Sequence, residues 1–170
     1  MSQTVLEMTL RVVDIVEGTS VDGPGLRTSI YFGGCIHHCP GCHNASTWPL
    51  DSGEEMTVEQ LMEFVDRAGL PVTFSGGDPL LQIDSLIPLA REIRSRGLSV
   101  WLYTGYTFEQ ILASPSLRRI LPLVDVIVDG QFKIDLRDTA LLFRGSSNQR
   151  LIDVAHWLST STIRQWTPDF

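Results

Sequence analysis

Four short apolar runs, each stopped by glycine, constrain the fold of this chain more than any other feature. Each run is rich in β-branched or aromatic residues, which is typical of strands. Helical patterns separate the runs, the clearest of them beginning at Thr57, where Gln60 is placed to complete a capping box. Strands that alternate with helices predict right-handed βαβ units and a mostly parallel sheet. The runs are 29–34 (SIYFGG), 71–76 (PVTFSG), 99–105 (SVWLYTG) and 124–130 (VDVIVDG).

The length of the chain limits how such units can close. At about 30 residues per βαβ unit, 170 residues provide five or six units. That number is too small for a closed eight-stranded barrel. We therefore predict an α/β fold, an open partial (βα) barrel of about five to six mostly parallel strands, as a single domain over residues 1–170. Weaker strand candidates lie at 10–16 and 141–144, and a short helix is expected at 151–158.

Charge and hydropathy exclude several classes of function. A net charge of −7 argues against a nucleic-acid-binding surface. No apolar run reaches the roughly 18 residues of a membrane span, and residues 1–11 lack the pattern of a signal peptide. The expected location is therefore the cytoplasm, with no membrane partner.

The carboxyl ends of the four runs carry polar or glycine-rich residues. In open α/β sheets, ligands bind at this edge. A cysteine-rich stretch follows the first run, SGGDP (75–79) ends the second, and Asp129 ends the fourth. Glycine and aspartate also terminate strands for purely structural reasons, so each end taken alone has two interpretations.

All three cysteines of the chain lie within eight residues, as C-x3-C-x2-C: Cys35, Cys39 and Cys42. They are too close together to form a disulfide scaffold. One interpretation is structural zinc with a histidine such as His43 as the fourth ligand. Another is a set of inert buried thiols. The spacing and the count favour an iron–sulfur cluster held by three thiolates, which leaves one iron open to an external ligand.

Several motifs, in order along the chain, resemble those of radical S-adenosylmethionine (SAM) activases of glycyl radical enzymes. SVDGPGLR (20–27) and CHNASTW (42–48) resemble activases of the pyruvate formate-lyase type. Four other motifs resemble those of activators of anaerobic ribonucleotide reductase. All the matches together cover residues 12–150, and residues 151–170 are therefore a C-terminal extension. The four are SGGDPL (75–80), WLYTGY (101–106), VDGQF (128–132) and RGSSNQ (144–149).

The resemblance implies a radical SAM enzyme with a 4Fe–4S cluster and S-adenosyl-L-methionine as cofactors. The reduced cluster would cleave SAM, and the resulting radical would take hydrogen from a glycine of a class III anaerobic ribonucleotide reductase. A flavodoxin or ferredoxin would supply the electron. Activation of another glycyl radical enzyme, radical chemistry on a small molecule, and a zinc-stabilised binding module are the alternatives.

The resemblance also implies roles for residues of the cysteine stretch. Cys35, Cys39 and Cys42 would bind the cluster. Gly41, Cys42 and His43 would lie near the adenine end of SAM, with a packed aromatic ring as the alternative role of His43. His37 and His38 lie inside the loop at positions where the family pattern varies. We therefore expect that neither residue is a ligand of the cluster.

Further SAM contacts are implied at the strand ends. Gly76 and Gly77 would present backbone carbonyls to the SAM ammonium group. Asp78 would supply negative charge there, or would cap the following turn. Tyr103 and Thr104 would lie near the ribose.

Two further positions carry weaker implications. Asp129 falls where longer activases have Asp-x-Lys and would lie near the methionine carboxylate. The third position of that motif is Gln131 here, and the basic residue comes only at Lys133. Arg144 and Asn148 belong to a family signature whose role the sequence leaves open, with folding and partner docking as the two alternatives.

Overall fold

The computed structural model describes residues 3–42 and 45–168, and these residues form one seven-stranded sheet in the order β3-β1-β2-β4-β5-β6-β7. The four predicted runs are strands β2, β4, β5 and β6, so the α/β class is confirmed. Two edge strands, β3 and β7, were not predicted, and 141–144 is not a strand. The strands are β1 (Thr9–Thr19), β2 (Arg27–Phe32), β3 (Glu54–Thr57), β4 (Val72–Gly76), β5 (Val100–Tyr103), β6 (Val126–Asp129) and β7 (Arg150–Asp153).

The centre of the sheet is parallel. Strands β2, β4, β5 and β6 pair in parallel, and one row of side chains crosses them. In this row Ile30 pairs with Phe74, Phe74 with Leu102, and Leu102 with Ile127, and all four are fully buried. This register brings the carboxyl ends of the four strands to one edge.

The sheet as a whole is mixed, which corrects the prediction of five to six mostly parallel strands. β1 is antiparallel to both β2 and β3, and β7 is antiparallel to β6. A parallel connection needs a crossover of about a dozen residues or more, usually helical. The segment between β6 and β7, which the structure describes throughout, contains a 3₁₀ turn at Ile134–Leu136 and no crossover helix, and β7 returns antiparallel to β6. The open partial barrel stays a prediction.

Helices cover one face of the sheet and supply its crossovers. The capping box at the start of α2 is confirmed, since Gln60 N donates to Thr57 Oγ1 at 3.0 Å and Thr57 N donates to Gln60 Oε1 at 2.9 Å. No helix in the part of the chain that the structure describes is long and apolar enough to cross a membrane. The helices are α1 (Gln3–Leu6), α2 (Val58–Ala68), α3 (Ile83–Ser95), α4 (Phe108–Ala113) and α5 (Val154–Thr160).

The C-terminal extension packs on the open edge and the second face of the sheet. Its first residues belong to β7, beside β6, and α5 follows. The chain then returns, and Trp166 packs edge-to-face on Trp101 with ring centroids 4.9 Å apart. Trp166 N also donates to Leu151 O at 2.7 Å. Through residue 168, the extension is therefore packed against the sheet.

Candidate functional site

The cysteine loop, residues 33–42, leaves the carboxyl end of β2. Cys35 and Cys39 are buried and Cys42 is half-buried. The backbone turns sharply at Gly41, with φ of 76°, where an added Cβ would lie 2.6 Å from Ile134 Cδ1. Glycine therefore serves both the turn and the close packing there.

The three thiols line one cavity of about 180 Å³. The opposite wall consists of the carboxyl ends of β4, β5 and β6, as expected for a sheet with a parallel centre. Gly41 is not part of the wall, and His43 lies outside the described residues. The strand-end residues of the wall are Ser75, Gly76, Gly77, Tyr103, Thr104, Gly105, Val128 and Gly130.

The two glycines of SGGDP are required by the packing of the backbone itself. A Cβ on Gly76 would lie 2.3 Å from Phe32 N, and one on Gly77 would lie 2.2 Å from Gly34 O. Gly77 N donates to Phe32 O at 2.8 Å, and Asp78 N donates to Gly34 O at 2.8 Å. The end of β4 is therefore fastened directly to the start of the cysteine loop. The predicted contact of the two carbonyls with SAM stays a prediction.

Asp78 lies behind the cavity wall and is 1% exposed. Its carboxylate accepts hydrogen bonds from Leu80 N at 3.0 Å and from Gly105 N at 3.0 Å. Thr104 Oγ1 donates to it at 2.8 Å, and His37 Nε2 lies 2.6 Å from Asp78 Oδ2. Asp78 thus caps the following turn, the second of its two predicted roles, and also joins three segments around the site.

His37 is a site residue that the sequence reasoning missed. Its side chain is 7% exposed and lines the cavity. Besides Asp78, it contacts Gln131, whose Nε2 lies 3.2 Å from His37 Nδ1. Its ring packs edge-to-face on Tyr106 at 4.8 Å. The sequence does show a histidine inside the cysteine loop and a carboxylate in SGGDP, which could form a pair. No pattern in the sequence indicates that these two distant residues are in contact.

Tyr103 and Thr104 lie where the sequence predicts, in the cavity wall at the end of β5. Tyr103 Oη donates to Phe143 O at 2.7 Å, which fixes its ring against the sheet. Thr104 Oγ1 donates to Asp78, and Tyr106 N donates to Thr104 Oγ1 at 3.1 Å. Both side chains are therefore held before any ligand binds.

Asp129 is 1% exposed and is not part of the cavity wall. Its carboxylate accepts from Phe108 N at 2.8 Å and pairs with Arg150 at 2.5 Å. Arg150 also pairs with Glu109 at 2.7 Å. The hydrogen bond from Arg150 lowers the pKa of Glu109, and those to Asp129 and Glu109 raise the pKa of Arg150. Asp129, at the end of β6, therefore links this strand to α4 through Phe108 and to β7 through Arg150.

The thiols are in surroundings that suit binding to iron. Burial raises the pKa of Cys35, an effect opposed by hydrogen bonds from the backbone N–H groups of His37 and His38. Burial likewise raises the pKa of Cys39, opposed by the backbone N–H of Phe132. Buried thiols deprotonate when a metal centre compensates the thiolate charge, and N–H donors aimed at sulfur stabilise that charge.

Three thiols in one cavity fit a cluster in which each thiolate binds a different iron. Within residues 3–42 and 45–168, no three His, Cys, Asp or Glu side chains are arranged around a single point as one metal ion would require. The residues present are therefore compatible with a three-thiolate iron–sulfur cluster.

The family model of the 4Fe-4S single cluster domain matches residues 21–152, which contain every residue of the cavity wall. The chain is also similar to anaerobic ribonucleoside-triphosphate reductase-activating proteins. The relative from Salmonella typhimurium is 38% identical over 141 residues, covering 76% of this chain and 89% of the relative. The relative from Escherichia coli strain K12 is 37% identical over 139 residues, with the same coverage. The relative from Enterobacteria phage T4 is 35% identical over 158 residues, covering 88% of this chain and 93% of the relative.

Among solved structures, QueE from Escherichia coli shares the fold with a TM-score of 0.53. The sequences are 20% identical, and the match covers 62% of this chain and 57% of QueE. This chain thus spans somewhat more than half the length of QueE, and the likeness concerns the fold alone.

Proposed function

Because this chain belongs to the 4Fe-4S single cluster domain family and to the anaerobic ribonucleoside-triphosphate reductase-activating proteins, we propose that it is a radical SAM activase of a class III anaerobic ribonucleotide reductase. One observation carries the proposal: all three thiols of the chain face a single cavity at the carboxyl ends of β4, β5 and β6. Three thiolates leave one iron of a four-iron cluster without a protein ligand. That iron is the position where SAM would bind.

Cys35, Cys39 and Cys42 would hold the cluster, which would supply the single electron needed to cleave SAM into methionine and a 5′-deoxyadenosyl radical, and a glycine of the reductase would give up the hydrogen atom that this radical takes. The products are 5′-deoxyadenosine, methionine and a glycyl radical on the partner. The task of this chain is to hold the reactants in place and to shield them from water.

We assign the SAM contacts to those predicted residues that line the cavity: Cys42, Gly76, Gly77, Tyr103 and Thr104. Fixed hydrogen bonds hold Tyr103 and Thr104, so little side-chain entropy is lost when a ligand binds. The backbone of the two glycines is held by the cysteine loop, which keeps the polar groups of the β4 end at a constant distance from the thiols.

The remaining predicted contacts act differently in this proposal. Asp78 and Asp129 support the wall from behind, since their carboxylates are already occupied by protein donors. Gly41 shapes the turn before Cys42. His43 keeps its predicted place at the adenine end of SAM.

The partner and the electron donor complete the proposal. The glycine loop of the reductase enters the cavity from its open side, and a flavodoxin or ferredoxin reduces the cluster. We place both reactions in the cytoplasm, with no contact to nucleic acid.

Anaerobic reconstitution of the full chain tests the function. The protein should bind four irons and four sulfides, and reduction in the presence of SAM should yield 5′-deoxyadenosine. Addition of a class III reductase from the same source should give a glycine-centred radical in electron paramagnetic resonance, with an amplitude that follows the 5′-deoxyadenosine formed. A pyruvate formate-lyase serves as the control partner and should stay radical-free. SAM cleavage without a radical on the reductase would overturn the assignment of the partner.

A further inference from the structure

The RGSSNQ signature fastens the segment that follows β6. Three side chains of 146–149 bind three successive regions of the backbone of 130–133. Ser146 is fully buried, and its hydroxyl also donates to Asn148 Oδ1 at 2.6 Å. The three bonds are Lys133 N to Ser146 Oγ (3.2 Å), Asn148 Nδ2 to Gln131 O (2.8 Å) and Gln149 Nε2 to Gly130 O (3.0 Å).

The fastened segment in turn contacts the cysteine loop at two places. Phe132 lines the same cavity as Cys39, and its backbone N–H opposes the rise that burial causes in the pKa of the Cys39 thiol. The Gln131 side chain reaches His37, with its Nε2 3.2 Å from His37 Nδ1. Since His37 lies between Cys35 and Cys39, both contacts act on the part of the loop that sets the separation of these two sulfurs.

Both ring nitrogens of His37 have a polar partner. His37 Nε2 lies 2.6 Å from Asp78 Oδ2, and His37 Nδ1 lies 3.2 Å from Gln131 Nε2. Gln131 thus holds the orientation of the ring from one side while Asp78 holds it from the other.

We propose that segments 130–133 and 146–149 form a clamp on the cysteine loop, in which Gln131 and Asn148 are positioning residues for the cluster. Gln131 fixes His37, and Asn148 holds the backbone that presents the Phe132 N–H to the Cys39 sulfur. This inference deepens the proposed function and depends on the same cluster, but it does not require SAM cleavage.

The clamp has an electrochemical consequence. Hydrogen bonds to a ligand sulfur stabilise the more negative, reduced state and therefore raise the reduction potential. Loss of the clamp should lower the potential. A segment that merely contributes to the fold would change the free energy of unfolding without changing the potential.

Two neutral substitutions test the clamp, chosen so that no new charge near the cluster alters the potential. Gln131→Leu removes the polar partner of His37 Nδ1, and Asn148→Ala releases the carbonyl of Gln131. Gln60→Leu is the matched control, because it breaks the capping box of α2 far from the site and costs stability alone. The measurement is the midpoint potential of the reconstituted cluster, from a redox titration followed by electron paramagnetic resonance without SAM.

A second measurement follows amide hydrogen exchange in the full chain by mass spectrometry. Both clamp variants should show a midpoint potential more negative than wild type and faster exchange in peptides that cover 35–39 and 130–133. The peptide that covers α3 should exchange at the wild-type rate, and Gln60→Leu should keep the wild-type potential. Wild-type potentials in both clamp variants, with full iron content, would overturn the clamp alone. A wild-type protein that assembles no cluster would overturn the proposed function and the clamp together.

Discussion

The amino and carboxyl ends of the parallel strands differ in how their polar groups are satisfied. At the amino ends of β2, β4 and β5, the guanidinium of Arg27 is buried and donates to Thr73 Oγ1 at 2.9 Å and to Val72 O at 2.8 Å. A further bond at 3.2 Å reaches Ser99 Oγ. Burial lowers the pKa of Arg27 to about 10. At this end, the buried guanidinium is therefore stabilised by hydrogen bonds to groups of the protein itself.

The carboxyl ends are arranged for a group that comes from outside. There the thiols of Cys35 and Cys39 have a pKa raised by burial, and the wall around them is rich in glycine. Their ionisation has to be compensated by iron rather than by a protein cation. At the amino end of the parallel strands, buried polar groups bind one another and stabilise the fold. At the carboxyl end, the buried thiols are left to bind a group from outside, and this end carries the function, as in other sheets with parallel strands.

The largest expected effect is the loss of the cluster. Cys35→Ala, Cys39→Ala and Cys42→Ala should each abolish SAM cleavage, because two thiolates do not retain the cluster in its active form. The free energy of unfolding of the metal-free protein should change by only about 1 kcal/mol. Iron analysis and 5′-deoxyadenosine formation under anaerobic conditions measure the first effect, and urea unfolding measures the second. Substantial cleavage by any of the three variants would refute the ligand assignment.

The opposite result is expected at the amino end. Arg27→Ala removes the buried donors to Val72 O and Thr73 Oγ1 and opens a cavity, so it should cost about 3 kcal/mol of unfolding free energy. The exposed Arg67→Ala is the control, with an expected change within about 0.5 kcal/mol. The iron content per folded molecule should stay at the wild-type value in both. A loss of iron from folded Arg27→Ala would show that the two ends are not independent.

Gly77→Ala tests the junction between β4 and the cysteine loop. The new Cβ would lie 2.2 Å from Gly34 O, so the loop must shift, at a cost of about 2 kcal/mol. Gly69→Ala is the control, since no atom lies within 4 Å of its Cβ and only its φ of 64° opposes the substitution, by about 1 kcal/mol. Iron binding should fall in Gly77→Ala and stay complete in Gly69→Ala. Equal iron content in both variants would mean that the loop tolerates the shift.

The smallest effect concerns the ion pairs around Arg150, which lie at the carboxyl edge yet are satisfied internally. The hydrogen bond from Arg150 holds the pKa of Glu109 below its ordinary value of 4.5. A lowered carboxyl pKa stabilises the protein above 4.5, and this stabilisation is lost as the pH falls through the folded-state pKa. At pH 7, Glu109→Gln should therefore cost about 0.5 kcal/mol, since the pair is largely exposed.

Urea unfolding of wild type and Glu109→Gln at a series of pH values measures this difference. It should shrink toward zero as the pH falls below 4.5, and 1 M salt at pH 7 should also reduce it, because exposed charges are screened. A difference that grows on acidification would contradict the assigned sign.

Much of the fold could be predicted because its signals are local. The four central strands are buried on both faces and therefore appear in the sequence as apolar runs. The start of α2 is indicated by Thr57 and Gln60, which form its capping box. The edge strands β3 and β7 were not predicted because they give no such local signal. β3 is the polar sequence EEMT, and β7 was included in a helical pattern, since an edge strand needs burial on only one side.

The sequence by itself determined that Cys35, Cys39 and Cys42 lie together, since their spacing within eight residues is a property of a single loop. It also predicted that Tyr103 and Thr104 lie at the edge where the cavity is found, because parallel strands bring their carboxyl ends to one edge. The roles of these residues as cluster ligands and SAM contacts stay predictions. Only the tertiary structure decided what surrounds them. His37 meets Asp78 across 41 positions and Gln131 across 94, and Asp129 is occupied by Arg150. Such partners are selected by the order of the strands and by the free-energy cost of leaving a buried carboxylate without donors, and neither condition can be found in any one segment of the sequence.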